Sequence, residues 1–238
     1  MLIKSWLIFE RPAFCLLRKS IDGVNQTINI FYTKFTTELS EKKYADYLEK
    51  LPSGLQEKNN KIIPWQDKHA HLFGKILLRE ALMYYDYTPD SLEKLQYNAF
   101  GRPYLSDKID FNIAHSGEFV MCAISAKVKL GIDIEQIQTI DFNDFELTMT
   151  NEQWQDIKNS INPTRSFFKY WTIKESVIKA DSRTFLIPLP DIHVKGNIVN
   201  IDNHTWYLKE LNFNENYVGY LAINHKNQEI NMIEKIFY

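Results

Sequence analysis

Two stretches of this chain set charged side chains at spacings that could do chemistry. In Gly131-Ile132-Asp133-Ile134-Glu135 the residue types alternate. Residues two apart in a strand share a face. Asp133 and Glu135 then point one way, while Ile132 and Ile134 point into a core. Carboxylates side by side repel unless water or a cation neutralises them. Hard oxygen donors of this kind suit Mg2+, which takes one or two carboxylates together with phosphate oxygens and waters. The plain alternative is an amphipathic strand with an acidic outer face, and this segment alone favours it. The second stretch, Trp171 to Lys179, reads as helix. Glu175 and Lys179 lie four apart and share a face, with Trp171 one turn before Glu175. Such a pair is either an ordinary surface pair, contributing ~0.2–0.5 kcal/mol, or a third metal carboxylate followed by an ammonium suited to phosphate.

Two further segments carry basic side chains at turns. Phe111-Asn112-Ile113-Ala114-His115-Ser116-Gly117 places His115 between a short strand and a glycine-containing turn, whose backbone N–H groups could cradle phosphate. Taken alone, His115 reads better as a satisfied turn histidine. Gly101-Arg102-Pro103 is a turn of a common type. His69, His71, His193, His204 and His225 show no metal spacing; His69 and His71, two apart on a helix, cannot share a face.

The elements that must position these residues are mixed. Ile28–Phe35 is rich in β-formers and reads as a strand. Glu38–Leu51 reads as one charged helix stopped by Pro52 and Gly54. Pro64–Asp86 is the clearest helix, with Leu72, Phe73, Ile76, Leu77, Leu82 and Tyr85 at helical spacing. Short strands are expected at 110–113, 119–125 and 129–137. Thr150 and Gln153 form a capping box for a helix holding Trp154 and Ile157. A second strong helix covers 165–180, and β-like segments follow at 192–194, 205–211, 217–224 and 232–237. Without regular βαβ alternation the class is α+β. The expected organisation is an extension at 1–26, a first half at 27–128 and a second half at 129–238, the break falling near 127–130.

The bulk properties exclude several classes. The chain has 238 residues, 45% hydrophobic and 24% charged, with net charge -2, so no global basic field argues for nucleic acid or anionic membrane. The two cysteines, Cys15 and Cys122, form no CxxC pair, which disfavours a disulfide framework or a cysteine zinc site and fits a reducing cytoplasm. No stretch reaches 18 uninterrupted apolar residues, so no transmembrane helix is expected. Met1–Leu17 is fairly apolar, but Glu10, Arg11 and Pro12 interrupt it; it reads as strand or loop, with a signal peptide as the second reading.

The motifs GRP, FNIAHSG, GIDIE and WTIKESVIKA, in this order, resemble the Sfp-type 4'-phosphopantetheinyl transferases. The Asp67–Glu80 segment is similar to that family's first long helix. The resemblance runs from about Ile28 to the C-terminus and is most specific from Gly101 to Ala180. It implies two similar α+β halves related by a pseudo-twofold axis, with coenzyme A bound between them. It implies Mg2+ on Asp133, Glu135 and Glu175, and Lys179 on the coenzyme A phosphates. It implies His115 as a phosphate contact, Arg102 in place of the family's GKP lysine, and Lys58 near the 3'-phosphate. Three departures stand out. Ala114 replaces a serine common in relatives. Ala70-His71 stands where relatives often offer an arginine. Residues 180–185 replace a glycine-rich turn.

The resemblance implies transfer of 4'-phosphopantetheine from coenzyme A to a serine of an acyl or peptidyl carrier protein, with release of 3',5'-ADP. Glu175 is the expected base, directly or through a water on the metal. Such carriers present an acidic helix beside the serine, so a basic and apolar patch is expected, from Arg165–Lys169 or the loop after Lys179. One copy of the chain suffices to build the site, so a monomer is expected. The competing readings are a metal-dependent phosphohydrolase and a non-catalytic binder of carrier or coenzyme A.

Overall fold

The computed structural model describes residues 27–126, 128–183 and 187–237. The readings of residues 1–26 lie outside these. The described chain is mixed α and β, as its composition of elements implies. Strand β1 (Ile28–Lys34) is followed by helices α1 (Glu41–Leu48), α2 (Ser53–Asn60) and α3 (Trp65–Tyr84), strands β2 (Gln96–Tyr97), β3 (Pro103–Tyr104), β4 (Ile109–Ser116), β5 (Phe119–Ala126) and β6 (Leu130–Gln136). Helices α4 (Asn151–Asn159) and α5 (Pro163–Asp181) come next, then strands β7 (Val194–Lys195), β8 (Ile198–Ile201), β9 (His204–Glu210), β10 (Tyr217–Ile223) and β11 (Ile230–Glu234).

Local chemistry sets the helix ends. The Ser40 side chain accepts from Lys43 N at the start of α1. Pro52 does not merely stop that helix: it is the N-cap of α2, a place where a missing N–H leaves nothing unsatisfied. The single helix expected over 38–51 is therefore a shorter α1 followed by a second helix. Gly54 hid the second one, since glycine inside a helix costs about 1 kcal/mol against alanine. The capping box at Thr150 and Gln153 is formed in both directions. Pro163 occupies the first turn of α5, where Asn162 accepts from Arg165 N.

The strands form two sheets, ordered β11-β1-β5-β4 and β6-β10-β9-β8-β7. Helix α3 covers the first sheet, burying Leu72, Phe73, Ile76 and Leu77 against Phe31, Phe111 and Val120. Helix α5 covers the second, with Phe167, Ile173 and Val177 against Trp206, Val218 and Ala222. A third core lies where the sheets meet: Ile28, Ile30, Met121 and Ala123 against Leu130, Ile132, Ile134 and Leu221. The last strand, β11, pairs in parallel with β1. The first sheet thus takes its edge strand β11 from beyond residue 129.

The edge strands β4 and β6 are joined by side chains rather than by a backbone ladder. Leu130 N donates to Asp110 Oδ2 (2.8 Å), Ile132 N to Asn112 Oδ1 (3.0 Å) and Gln136 N to Ser116 Oγ (3.0 Å). The acceptors fall at alternate residues of β4, as the strand period requires. Ala114 interrupts that row, and it is buried.

Candidate functional site

Strand β6 delivers the acidic residues. Its even positions, Ile132 and Ile134, are buried in the core between the sheets, so Asp133 and Glu135 face the other way, toward α5. Gly131 makes the approach possible. A Cβ there would lie 2.2 Å from Ser176 O and 2.3 Å from Ala180 N, so any side chain would push α5 away from β6. The contact brings Glu175 and Lys179, one turn apart on α5, against Asp133.

The electrostatics of this cluster are strained. Lys179 Nζ donates to Asp133 Oδ1 at 2.6 Å. Asp133 Oδ2 is buried without a hydrogen-bond partner, an expensive state for a carboxylate oxygen. Burial pushes Asp133 up to about 7; Lys179 pulls against this, while Glu135 and Glu175 add repulsion. Burial also raises Glu175, opposed by Lys179 and reinforced by Glu135. Burial works against the Lys179 ammonium, yet Asp133, Glu175 and Glu135 together outweigh it and raise its pKa. Glu135 is gripped at both oxygens, by Trp171 Nε1 (3.2 Å) and Ser116 Oγ (2.9 Å).

Among the described residues, no group of three or more His, Cys, Asp and Glu side chains is drawn together closely enough to hold a metal ion as it stands. The residues nonetheless fit a hard cation. The donors are all carboxylate oxygens, they repel one another, and Asp133 carries a buried oxygen with no partner. One ammonium counterbalances three carboxylates.

A basic row runs from this cluster along α3. His115 is exposed, at the end of β4. Burial lowers its pKa, and Lys179 lowers it further, while Asp67 opposes. His71 is pushed down to about 4 by burial, then by Lys75, His115 and Lys58, with its Nδ1 at 2.6 Å from Asn59 Oδ1. Burial and Lys58 lower Lys75, against Cys122. Lys58 Nζ sits 4.6 Å from the Tyr97 ring centroid, beside a cavity of about 390 Å3 between Leu55 and Leu95. Four cationic or protonatable groups thus repel one another where an anion would relieve them.

The structure brings together Asp133, Glu135, Glu175, Lys179 and His115, with Lys58 at the far end of the basic row. It does not bring Arg102 there. Arg102 Nη2 donates to both Asp110 oxygens (2.9 and 3.0 Å), to Phe111 O (3.3 Å) and to Leu130 O (2.9 Å). This side chain ties β4 to β6 instead of opening onto a ligand, because Asp110 is itself buried and a buried carboxylate demands a partner. Of the two α3 histidines, His69 faces the core, accepting from Leu39 N at 3.0 Å, and His71 is half-buried beside Asn59.

Three kinds of residue escaped the sequence reading. Lys75 follows Asp67 and His71 at intervals of four, a helical row that could have been read. Ser116 shares its strand parity with Asn112, which marks it as facing β6. Lys174 is fully buried, its Nζ donating to Thr148 O (2.8 Å) and Leu189 O (2.7 Å); nothing in the sequence distinguishes it from a surface lysine.

Residues 129–222 match the 4'-phosphopantetheinyl transferase superfamily. The chain is 30% identical over 172 residues to the 4'-phosphopantetheinyl transferase gsp of Aneurinibacillus migulanus, covering 71% of this chain and 72% of that one. It is 27% identical over 161 residues to the 4'-phosphopantetheinyl transferase Sfp of Bacillus subtilis (strain 168), covering 66% of this chain and 71% of that one. It is 24% identical over 191 residues to the L-aminoadipate-semialdehyde dehydrogenase-phosphopantetheinyl transferase of Homo sapiens, covering 73% of this chain and 60% of that one.

Proposed function

Since the chain belongs to the 4'-phosphopantetheinyl transferase superfamily, we propose that it moves 4'-phosphopantetheine from coenzyme A to a serine of an acyl or peptidyl carrier protein, with Mg2+, releasing 3',5'-ADP. The observation that carries the reading is Asp133: a buried carboxylate with one oxygen on Lys179 and the other unpartnered, flanked by Glu135 and Glu175. Asp133, Glu135 and Glu175 would hold the cation, which supplies charge neutralisation on the pyrophosphate of coenzyme A.

The chain's own residues do the rest. Lys179 neutralises phosphate charge, exchanging Asp133 for a phosphate oxygen. His115 stands in electrostatic reach of Lys179 and serves the same group of phosphates. Lys58, with His71 and Lys75, forms the cationic row for the 3'-phosphate at the other end. Glu175 accepts the serine proton as oxygen attacks phosphorus, directly or through a water. Arg102 acts as a strut that holds β4 against β6. Each of these residues comes from one copy of the chain, so a monomer is the proposed working unit. The two halves, each a long helix laid on a sheet, are proposed to be related by a pseudo-twofold axis.

The test is intact-mass spectrometry of apo carrier proteins incubated with the protein, coenzyme A and Mg2+. A gain of one phosphopantetheine, lost on adding a chelator and lost in Asp133→Ala, is the expected result. Coenzyme A consumed with no carrier modified would overturn it in favour of a hydrolase. Coenzyme A bound but unchanged with every carrier would overturn it in favour of a binder.

A further inference from the structure

Glu135 is held against its own electrostatics. Its charge repels Asp133 and Glu175. It is only half-buried, and a glutamate side chain has much rotamer freedom to lose. Left alone it would swing into water, away from its like-charged neighbours. Two donors prevent this. Ser116 Oγ donates to Glu135 Oε2 at 2.9 Å, and Trp171 Nε1 donates to Oε1 at 3.2 Å. Hydrogen bonds to an ionised acceptor are about twice as strong as neutral ones.

Both donors are themselves fixed. The Ser116 oxygen accepts from Gln136 N at 3.0 Å, which leaves its single proton for Glu135. The turn that follows Ser116 is seated on β6 and β10. Glu118 N donates to Tyr217 Oη at 3.0 Å, and a Cβ on Gly117 would collide with Gln136 Oε1 and Tyr217 Oη. The Trp171 ring stacks on Phe167 at 6.1 Å between centroids and meets Phe145 edge-on at 5.6 Å. An indole N–H can only donate, so the direction of its bond to the carboxylate is certain.

The two bonds join three elements of the site. Ser116 lies on β4 beside His115, Glu135 on β6, and Trp171 on α5 one turn before Glu175. A plain tie between elements would account for the same bonds, but it makes a different prediction. Asn112 also ties β4 to β6, accepting from Ile132 N at 3.0 Å, and this bond does not involve Glu135. If Ser116 served only to hold the strands together, losing Asn112 would do as much as losing Ser116.

We propose that Ser116 and Trp171 are positioning residues, which hold the Glu135 carboxylate beside Asp133 and Glu175 and thereby set the affinity of the three for a divalent cation. The inference rests on the metal-dependent transferase reading above for the identity of the ligand, while the two hydrogen bonds belong to the chain alone. Groups that orient a metal ligand without touching the metal commonly govern its affinity. Here they work by keeping a repelled carboxylate in place before the cation arrives.

The test uses the full chain and Mg2+ alone, without coenzyme A. The Trp171 indole N–H resonance is identified by its loss in Trp171→Phe, which keeps an aromatic ring against Phe167 and Phe145. In a chelator it should shift in Glu135→Ala and in Ser116→Ala, and in the wild type it should shift again on adding Mg2+. By isothermal titration, Trp171→Phe and Ser116→Ala should each raise the Mg2+ Kd about tenfold. The double variant should lose less than about a hundredfold, because either change frees the same carboxylate. Asn112→Ala should move the Kd little, and the loss of transfer in both single variants should shrink as Mg2+ is raised. An unchanged Kd in Trp171→Phe and Ser116→Ala, or an equal loss in Asn112→Ala, would overturn the positioning role while leaving a Mg2+-dependent transferase intact. A wild type that binds no Mg2+, with the indole still reporting Glu135, would overturn the metal reading and the positioning role with it.

Discussion

Asp133 makes the folded protein sensitive to pH in a direction opposite to most carboxylates. Its pKa rises from an ordinary 3.8 to about 7 through burial, with Glu135 and Glu175 adding repulsion against the pull of Lys179. Between those two values the native state binds a proton that the unfolded state releases. Stability must then fall as pH rises through this window. A rise of roughly three pH units, at about 1.36 kcal/mol each, sets a ceiling of about 4 kcal/mol. Asp133→Asn keeps the shape and removes the titration. It also deprives Lys179 of its partner, but Glu175 and Glu135 still favour the ammonium. Other groups, such as His71 held at about 4 by burial and its basic neighbours, slope the other way, so the difference between the two proteins is the quantity to read. Urea unfolding at pH steps from 4 to 8, in a chelator, should show the wild-type stability falling relative to Asp133→Asn by ~1–4 kcal/mol. A difference that stays flat across the window would refute the claim that Asp133 is a strained buried carboxylate.

Four further outcomes follow from the same geometry. At pH 8, Mg2+ at a hundred times its Kd should stabilise the protein by about 2.7 kcal/mol and leave Asp133→Asn unmoved in thermal melts; an equal rise in both would place the cation elsewhere. Coenzyme A should lift the His71 pKa above its value of about 4, because an anion reverses the field from Lys75, His115 and Lys58; NMR titration of the imidazole reads it, and an unchanged value would separate the nucleotide from the basic row. Gly131→Ala must displace α5, since the added Cβ meets Ser176 O at 2.2 Å; it should lower stability by about 1–3 kcal/mol and turnover on the order of a hundredfold, and unchanged denaturation and kcat would contradict the close approach. Ala114→Ser should supply the missing acceptor in the row that joins β4 to β6 and gain about 0.5–1.5 kcal/mol by urea unfolding; a loss would mean the pocket at Ala114 is too tight for a hydroxyl.

What could be read in advance depended on whether a residue's role follows from its own spacing. The orientation of Asp133 and Glu135 was legible because strand period alone decides it, and the pairing of Glu175 with Lys179 because helix period does. Thr150 and Gln153 announced a helix start through a local hydrogen-bond pattern. Arg102 was illegible for the converse reason. Whether a turn arginine meets phosphate or a carboxylate depends on Asp110, eight residues on, being buried behind it, a fact of tertiary packing. The return of β11 to β1 spans nearly the whole described chain, and no local pattern specifies a parallel partner that distant. Lys174 is the extreme case: a lysine followed by glutamate on a helix reads as surface, and only its two loop carbonyls make burial tolerable.

The site holds two poles that are each unfavourable alone. At one end Asp133, Glu135 and Glu175 repel one another around a single ammonium. At the other, burial lowers His71 and Lys75, with Lys75, His115 and Lys58 lowering His71 further and Lys58 lowering Lys75. A free anion would relieve the second pole and aggravate the first, and a free cation would do the reverse. A ligand that brings both, a phosphate chain with its divalent cation, relieves both at once. Lys179 lies between the poles, bound to Asp133 and felt by His115. It is the side chain that must change partners when such a ligand arrives. Lys179→Ala should therefore weaken coenzyme A less in the presence of Mg2+ than in its absence, because the cation then meets Asp133 whether or not the ammonium is there. Isothermal titration with and without Mg2+ measures the two losses. Equal losses would mean that Lys179 serves the phosphates alone and never stands in for the metal.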